Sequence, residues 1–177
     1  MMGMAVSTKL SIDEVNMLEK EDFVTKIGPI FEHSPWVAER AWAHRPFTSA
    51  ENMYECMLEK VYEADKRLQL ALLRAHPDLG TRLEISETSQ SEQQRAGLSQ
   101  LTEEEFAVFA ELNKCYVDTF RFPFIMAVRG QTKNSIKEQM RKRLVNDEEQ
   151  ERKTALREVA KIAKFRLADL VVMGSRS

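Results

Sequence analysis

Little in this 177-residue chain could cross-link it, interrupt its helices or draw it to a polyanion. There are two cysteines, Cys56 and Cys115, each alone on an expected helix and neither in a CxxC pair. A disulfide framework is excluded on that count, a reducing cytoplasmic setting is expected, and both thiols are expected to act as buried small hydrophobes. Glycine and proline are scarce, at 6 and 5 residues, which removes the usual punctuation of a β-rich chain. Net charge is −2, so the basic surplus of a nucleic-acid binder is missing. A local basic run, Lys137 to Arg143, is followed by acidic residues from Asp147, and alternating blocks of this kind read as solvated helix faces. No apolar run reaches the length of a membrane span, and the N-terminus lacks a secretory apolar stretch. A glycine-rich phosphate loop and a GxSxG elbow are both absent, so nothing points to a nucleotide or redox cofactor.

What remains is helix-forming. Hydrophobic residues make up 43% and charged residues 31% of a chain long enough to enclose its own core, so an all-α, single-domain helical bundle is expected. Residues 1–10 read as a flexible leader, 11–172 as the domain and 173–177 as a tail. Ser11 with Glu14 forms a capping box, and an amphipathic stretch from Glu21 to Phe31 breaks near Gly28-Pro29. Ser34-Pro35 starts a helix through Trp36 and Trp42 to about His44.

The apolar spacing predicts one long helix from Thr48 or Ser49 to Ala75, stopped by His76-Pro77 because proline disfavours helical geometry in the residue before it. Residues 81–88 read as a loop and Ser89 as the start of the next helix. Thr102, boxed with Glu105, caps one running to about Thr119. Residues 120–128 lack helical periodicity and read as extended and buried. Two helices close the chain, from Thr132 to Val145 and from Asp147 to Val172.

Three positions invite chemistry, and each has an ordinary alternative. His76 carries the side chain whose proton exchanges near neutrality, but histidines also stabilise helix C-termini. Ser89 and Glu92 match a capping box, while a helix N-terminus also receives anions, and Gln93 adds an amide. Arg166 has Val159, Ile162 and Leu170 on its helical face, so its guanidinium needs an anion: an internal carboxylate or a substrate carboxylate. His33 and His44 have no second ligand at close helical spacing, so no metal site is expected. The nine methionines read as core filler.

Taken in order, Ala75-His76-Pro77-Asp78-Leu79-Gly80, Ser89-Gln90-Ser91-Glu92-Gln93 leading to Ala96-Gly97-Leu98, and Phe120 to Val128 ending in Arg129-Gly130 resemble the OHCU (2-oxo-4-hydroxy-4-carboxy-5-ureidoimidazoline) decarboxylase family. Phe47-Thr48-Ser49 also fits, and the likeness runs from about Ser11 to Leu170. The resemblance implies a helical, cofactor-free and metal-free enzyme that converts OHCU to (S)-allantoin and carbon dioxide in urate degradation. It implies a homodimer, with fusion to or association with urate oxidase as a further arrangement, and no nucleic-acid or membrane partner. His76 is implied as the catalytic acid/base with Glu92 beside it. Pro77, Ser89, Gln93, Phe124, Ile125, Met126, Ala127, Val128 and Arg166 are implied to line the pocket, with Arg129 left to the turn at Gly130. Arg121 stands where many members carry glycine, which predicts a different backbone shape there, and the stretch between Gly80 and Ser89 is short. A non-enzymatic helical interaction module, or another cofactor-free lyase or hydrolase acting on a cyclic ureide, are the competing readings.

Overall fold

Local capping chemistry sets most of the helix boundaries in the computed structural model, which describes residues 9–77 and 102–173. The described residues form an all-α structure: α1 (Ile12–Asn16), α2 (Lys20–Ile27), a 3-10 turn (Gly28–Ile30), α3 (Pro35–Trp42), α4 (Ala50–Glu63), α5 (Lys66–Ala75), α6 (Glu103–Phe120), α7 (Lys133–Arg143) and α8 (Glu148–Leu170). Among them the only β pairing is a single parallel bridge between Leu10 and Val171. No described helix is long and apolar enough to cross a membrane. The chain divides into two compact units, residues 1–69 with 160–177, and residues 70–159.

In the first unit, α3 packs against α2 and α4. The core is Val15, Phe23, Ile27, Val37, Ala41, Met53 and Met57, all fully buried. The expected capping box at Ser11 and Glu14 is present. Leu10, at the edge of the expected leader, is tied down: its N–H donates to Leu170 O at 2.9 Å and its carbonyl accepts from Val172 N at 2.8 Å. Asn16 closes a reciprocal pair with the backbone of Phe47, at 2.9 and 2.8 Å, and so anchors the turn before α4. Ser34 precedes α3 as expected, but its hydroxyl does not cap; it donates to Glu32 O at 2.7 Å.

The predicted long helix from Ser49 to Ala75 is two helices. Ala64 is extended (φ −65°, ψ 153°), and Asp65 restarts the chain by accepting from Leu68 N at 2.9 Å. The buried Gln69 amide folds back onto the end of α4, donating to Val61 O at 3.0 Å, which also accepts from Ala64 N at 3.3 Å, and to Tyr62 O at 3.4 Å. Apolar residues keep helical spacing across the break, so periodicity alone runs straight through it.

In the second unit, α6 packs on α7. The Thr102–Glu105 capping box is present, and α8 starts where Asp147 accepts from Gln150 N at 2.8 Å. An aromatic cluster forms the core, with Tyr116 lying 4.8 Å from Phe120 and 5.2 Å, edge-on, from Phe124 between ring centroids. The expectation that both cysteines are buried fails: Cys115 is exposed and Cys56 half-buried. It is Tyr116, the next residue on α6, that turns inward.

Arg121 ends α6 in the left-handed conformation, φ 67° and ψ 23°. The arginine therefore adopts the backbone geometry that glycine favours, where a Cβ costs about 1–2 kcal/mol. Its side chain is exposed, so nothing in the core depends on it. Arg121→Gly should stabilise the protein by about 0.5–1 kcal/mol after the extra unfolded-state entropy of glycine is subtracted. An unchanged or lowered urea midpoint would contradict this account of the α6 terminus.

Candidate functional site

The end of α5 places His76. Its N–H bonds to Leu73 O at 3.2 Å, a tightened last turn, and Pro77 follows. The Leu72 carbonyl, freed by that tightening, is taken by the ring: His76 Nδ1 lies 3.1 Å from Leu72 O. A carbonyl only accepts, so Nδ1 carries the hydrogen, and in the neutral ring Nε2 holds the lone pair. The side chain is only 5% exposed. This contact fixes the tautomer and orients Nε2, the atom that can give or take a proton.

Two residues earlier, Arg74 Nε donates to Arg121 O at 3.0 Å. That bond ties the last turn of α5 to the start of the apolar segment 122–128, in the same unit. Phe122, Pro123, Phe124, Ile125, Met126 and Val128 are buried, and Ala127 is half-buried. The segment is neither helix nor ladder strand, so its main-chain groups need partners from elsewhere.

Charged side chains supply two of them. Arg143 Nη1 donates to Ile125 O at 2.7 Å, and Glu158 Oε1 accepts from Ala127 N at 2.9 Å. Arg143 itself is 4% exposed and Glu151 0%. Arg143 Nε lies 2.6 Å from Glu151 Oε2, and Asn146 Nδ2 donates to Glu151 Oε1 at 2.9 Å. The Tyr116 hydroxyl donates to Glu151 and accepts from Arg143 Nη2 at 3.3 Å. The guanidinium also covers the Phe124 ring, 4.4 Å from its centroid. Burial above all, with the Glu151 carboxylate it faces, pushes the Tyr116 hydroxyl far up, while Arg143 pulls it the other way. That side chain therefore remains a neutral donor.

This cluster corrects the reading of the charge blocks as solvated faces. Arg143 is the last residue of the basic run and Glu151 sits in the acidic one, yet they meet in the core. Opposite charges eight residues apart, on either side of the α7–α8 turn, were the available signal.

Arg166 lies in the other unit, where Nη2 is 2.8 Å from Glu32 Oε1. The internal carboxylate offered as the alternative for Arg166 is thus Glu32, with side-chain exposures of 35% and 22%. Arg129 sits at the turn completed by Gly130 (φ 81°), where Gln131 N donates to Val128 O at 2.9 Å. Ser89, Glu92 and Gln93, the loop 81–88 and the helix expected from Ser89 all lie outside the described residues. Of the expected site residues, the structure therefore collects His76, Pro77 and Phe124 to Val128 in one unit and holds Arg166 in the other.

Fold and site together define an all-α protein with a buried, tautomer-fixed histidine at a helix end and an apolar segment held by buried charge. The chain belongs to the OHCU decarboxylase family, whose model matches residues 16–168. It is 43% identical over 165 residues to the 2-oxo-4-hydroxy-4-carboxy-5-ureidoimidazoline decarboxylase of Halalkalicoccus jeotgali, covering 93% of this chain and 94% of that one. It is also 43% identical to the uric acid degradation bifunctional protein PucL of Bacillus subtilis, covering 91% of this chain and 33% of that longer protein. The fold matches a crystal structure of (S)-allantoin synthase with a TM-score of 0.73 and 30% identity, over 91% of this chain and about half (54%) of that one.

Breaking the buried pair leaves an uncompensated charge. Glu151→Gln should cost about 3–5 kcal/mol of stability, read as a drop in the denaturant midpoint. A loss below about 1 kcal/mol would show that the Arg143 guanidinium finds other compensation.

Proposed function

We propose that this protein decarboxylates OHCU to (S)-allantoin and carbon dioxide, with His76 moving the proton. Family membership supports the reaction class. The observation that supports the role of His76 is its buried ring, held through Nδ1 by Leu72 O so that Nε2 is the exchanging atom.

The substrate provides its own electron sink. Its carboxylate leaves from a ring carbon that bears a hydroxyl and adjoins a carbon–nitrogen double bond. As the carbon–carboxylate bond breaks, its electron pair forms a double bond to the neighbouring carbon, and the imine pair moves to nitrogen, which takes a proton. The resulting enol then loses its hydroxyl proton to become a carbonyl, and the neighbouring carbon accepts a proton. The face receiving it decides the chirality of allantoin. One imidazole can serve both transfers, a role worth about 10²–10⁴ in rate. Glu92 orients that ring or the ureido hydrogens, and Ser89 and Gln93 contact the ureide. The apolar segment 124–128 excludes water and strengthens each polar contact.

The test generates the labile substrate in place from urate with urate oxidase and hydroxyisourate hydrolase, and follows optical activity by circular dichroism. The wild-type protein should yield (S)-allantoin faster than spontaneous decay; folded protein without acceleration refutes the assignment. His76→Ala should lose about 10²–10⁴ of that acceleration with helix content unchanged. A variant that keeps most of its rate removes His76 from the mechanism.

For Arg166, the proposed hold on a substrate oxygen has its own measurement. Glu32 engages Nη2 of a guanidinium that carries five donors in a planar fork. Arg166→Lys preserves the charge and loses the fork, so KM should rise about tenfold, with little change in melting temperature. An unchanged KM would confine Arg166 to its pair with Glu32.

A further inference from the structure

Two charged side chains grip the backbone on either side of one residue in the apolar segment. Arg143 Nη1 donates to Ile125 O at 2.7 Å, and Glu158 Oε1 accepts from Ala127 N at 2.9 Å. The Ile125 carbonyl belongs to the same peptide unit as the Met126 N–H. The Ala127 N–H belongs to the same unit as the Met126 carbonyl. Both peptide bonds are trans, so within each unit the C=O and N–H point in opposite directions. The Met126 N–H is therefore turned away from Arg143, and its carbonyl is turned away from Glu158.

The charges also polarise what they hold. A cation on the Ile125 oxygen draws electron density through the amide and makes the Met126 N–H a stronger donor. An anion on the Ala127 N–H pushes density the other way and makes the Met126 carbonyl a stronger acceptor. In a buried setting such chains of hydrogen bonds strengthen one another. The cation is itself locked by Glu151, Tyr116 and the Phe124 ring, so it cannot drift from the carbonyl.

We propose that Arg143 and Glu158 are positioning residues for the decarboxylation: they aim and polarise the main chain at Met126 without touching substrate. This rests on the reading that residues 124–128 line the substrate pocket. Neither residue is among those implied by the family resemblance. Their proposed effect on the reaction passes through the two peptide groups that flank Met126.

Glu158 carries the test, because Arg143 is bound into the buried network and its loss endangers folding. Glu158 is half-buried in the middle of α8, where alanine is the best helix former. Glu158→Ala removes the acceptor for Ala127 N; Glu158→Gln keeps an oxygen acceptor of the same reach and removes the charge. Under the in-place substrate assay, Glu158→Ala should lower kcat/KM about 10²-fold, the scale of a misplaced contact. Its melting temperature should fall by a few degrees, the effect of one unpaired N–H, with helix content unchanged, and the optical purity of the allantoin should fall. Glu158→Gln should recover most of that loss, remaining within a few-fold of wild type. The proposal is overturned if Glu158→Ala stays within twofold of wild type, or if the two variants are equally impaired. A wild-type protein without acceleration instead refutes the decarboxylase reading, so the two failures are distinct.

Discussion

A stretch of chain that is buried but belongs to neither helix nor sheet must still bond its peptide groups, and this requirement organises the second unit. The ladder that would normally satisfy residues 122–128 is missing, and charged side chains from α7 and α8 stand in for it. Burying Arg143 and Glu151 to this end is costly, since each ion loses its hydration. The cost is offset because every part of the network has a partner: Tyr116, Asn146 and Ile125 O on the polar side, and the Phe124 ring against the guanidinium face. A network this complete holds one geometry, and that matters more for a site than its net contribution to stability.

The histidine follows a similar logic on a smaller scale. A helix ending at a proline leaves carbonyls without amide donors, and one of these, at Leu72, is met by the imidazole of His76. The capping contact is also the hydrogen bond on which the proposed role of His76 rests. The ordinary alternative for this residue, a helix-end stabiliser, thus describes how it is held, and the proposed chemistry describes what its other nitrogen does. For a reaction whose electron sink lies in the substrate, a protein needs to supply little more than an aimed proton carrier and a dry surrounding.

Many helix boundaries are legible in local side chains, although Ser34 starts α3 without capping it. Capping boxes at Ser11 and Thr102, the start at Asp147 and the stop at Pro77 depend on side chains within three or four residues of the backbone they serve. The break at Ala64-Asp65 is hidden by apolar spacing that continues across it; its local mark is the Asp65 carboxylate on Leu68 N, and Gln69 folds back onto Val61 from the restarted helix. Cys115 illustrates the same limit, since the inward face of α6 was claimed by the larger Tyr116. Arg121 shows a third case: an arginine gives no sign in the sequence of the left-handed backbone it adopts at the end of α6.

The amino-acid sequence by itself determined the helical class, most helix ends, the place of His76 behind its helix and the family pattern spread over three separated stretches. These rest on contacts between near neighbours or on residue types in order, and both survive in one dimension. Only the tertiary structure decided that Arg143 and Glu151 are partners rather than solvated charges, that Glu32 is the anion beside Arg166, and that Glu158 holds Ala127. A charge in a sequence carries no mark of its burial. Its cost and its use are set by what other elements bring to within about 3 Å of it.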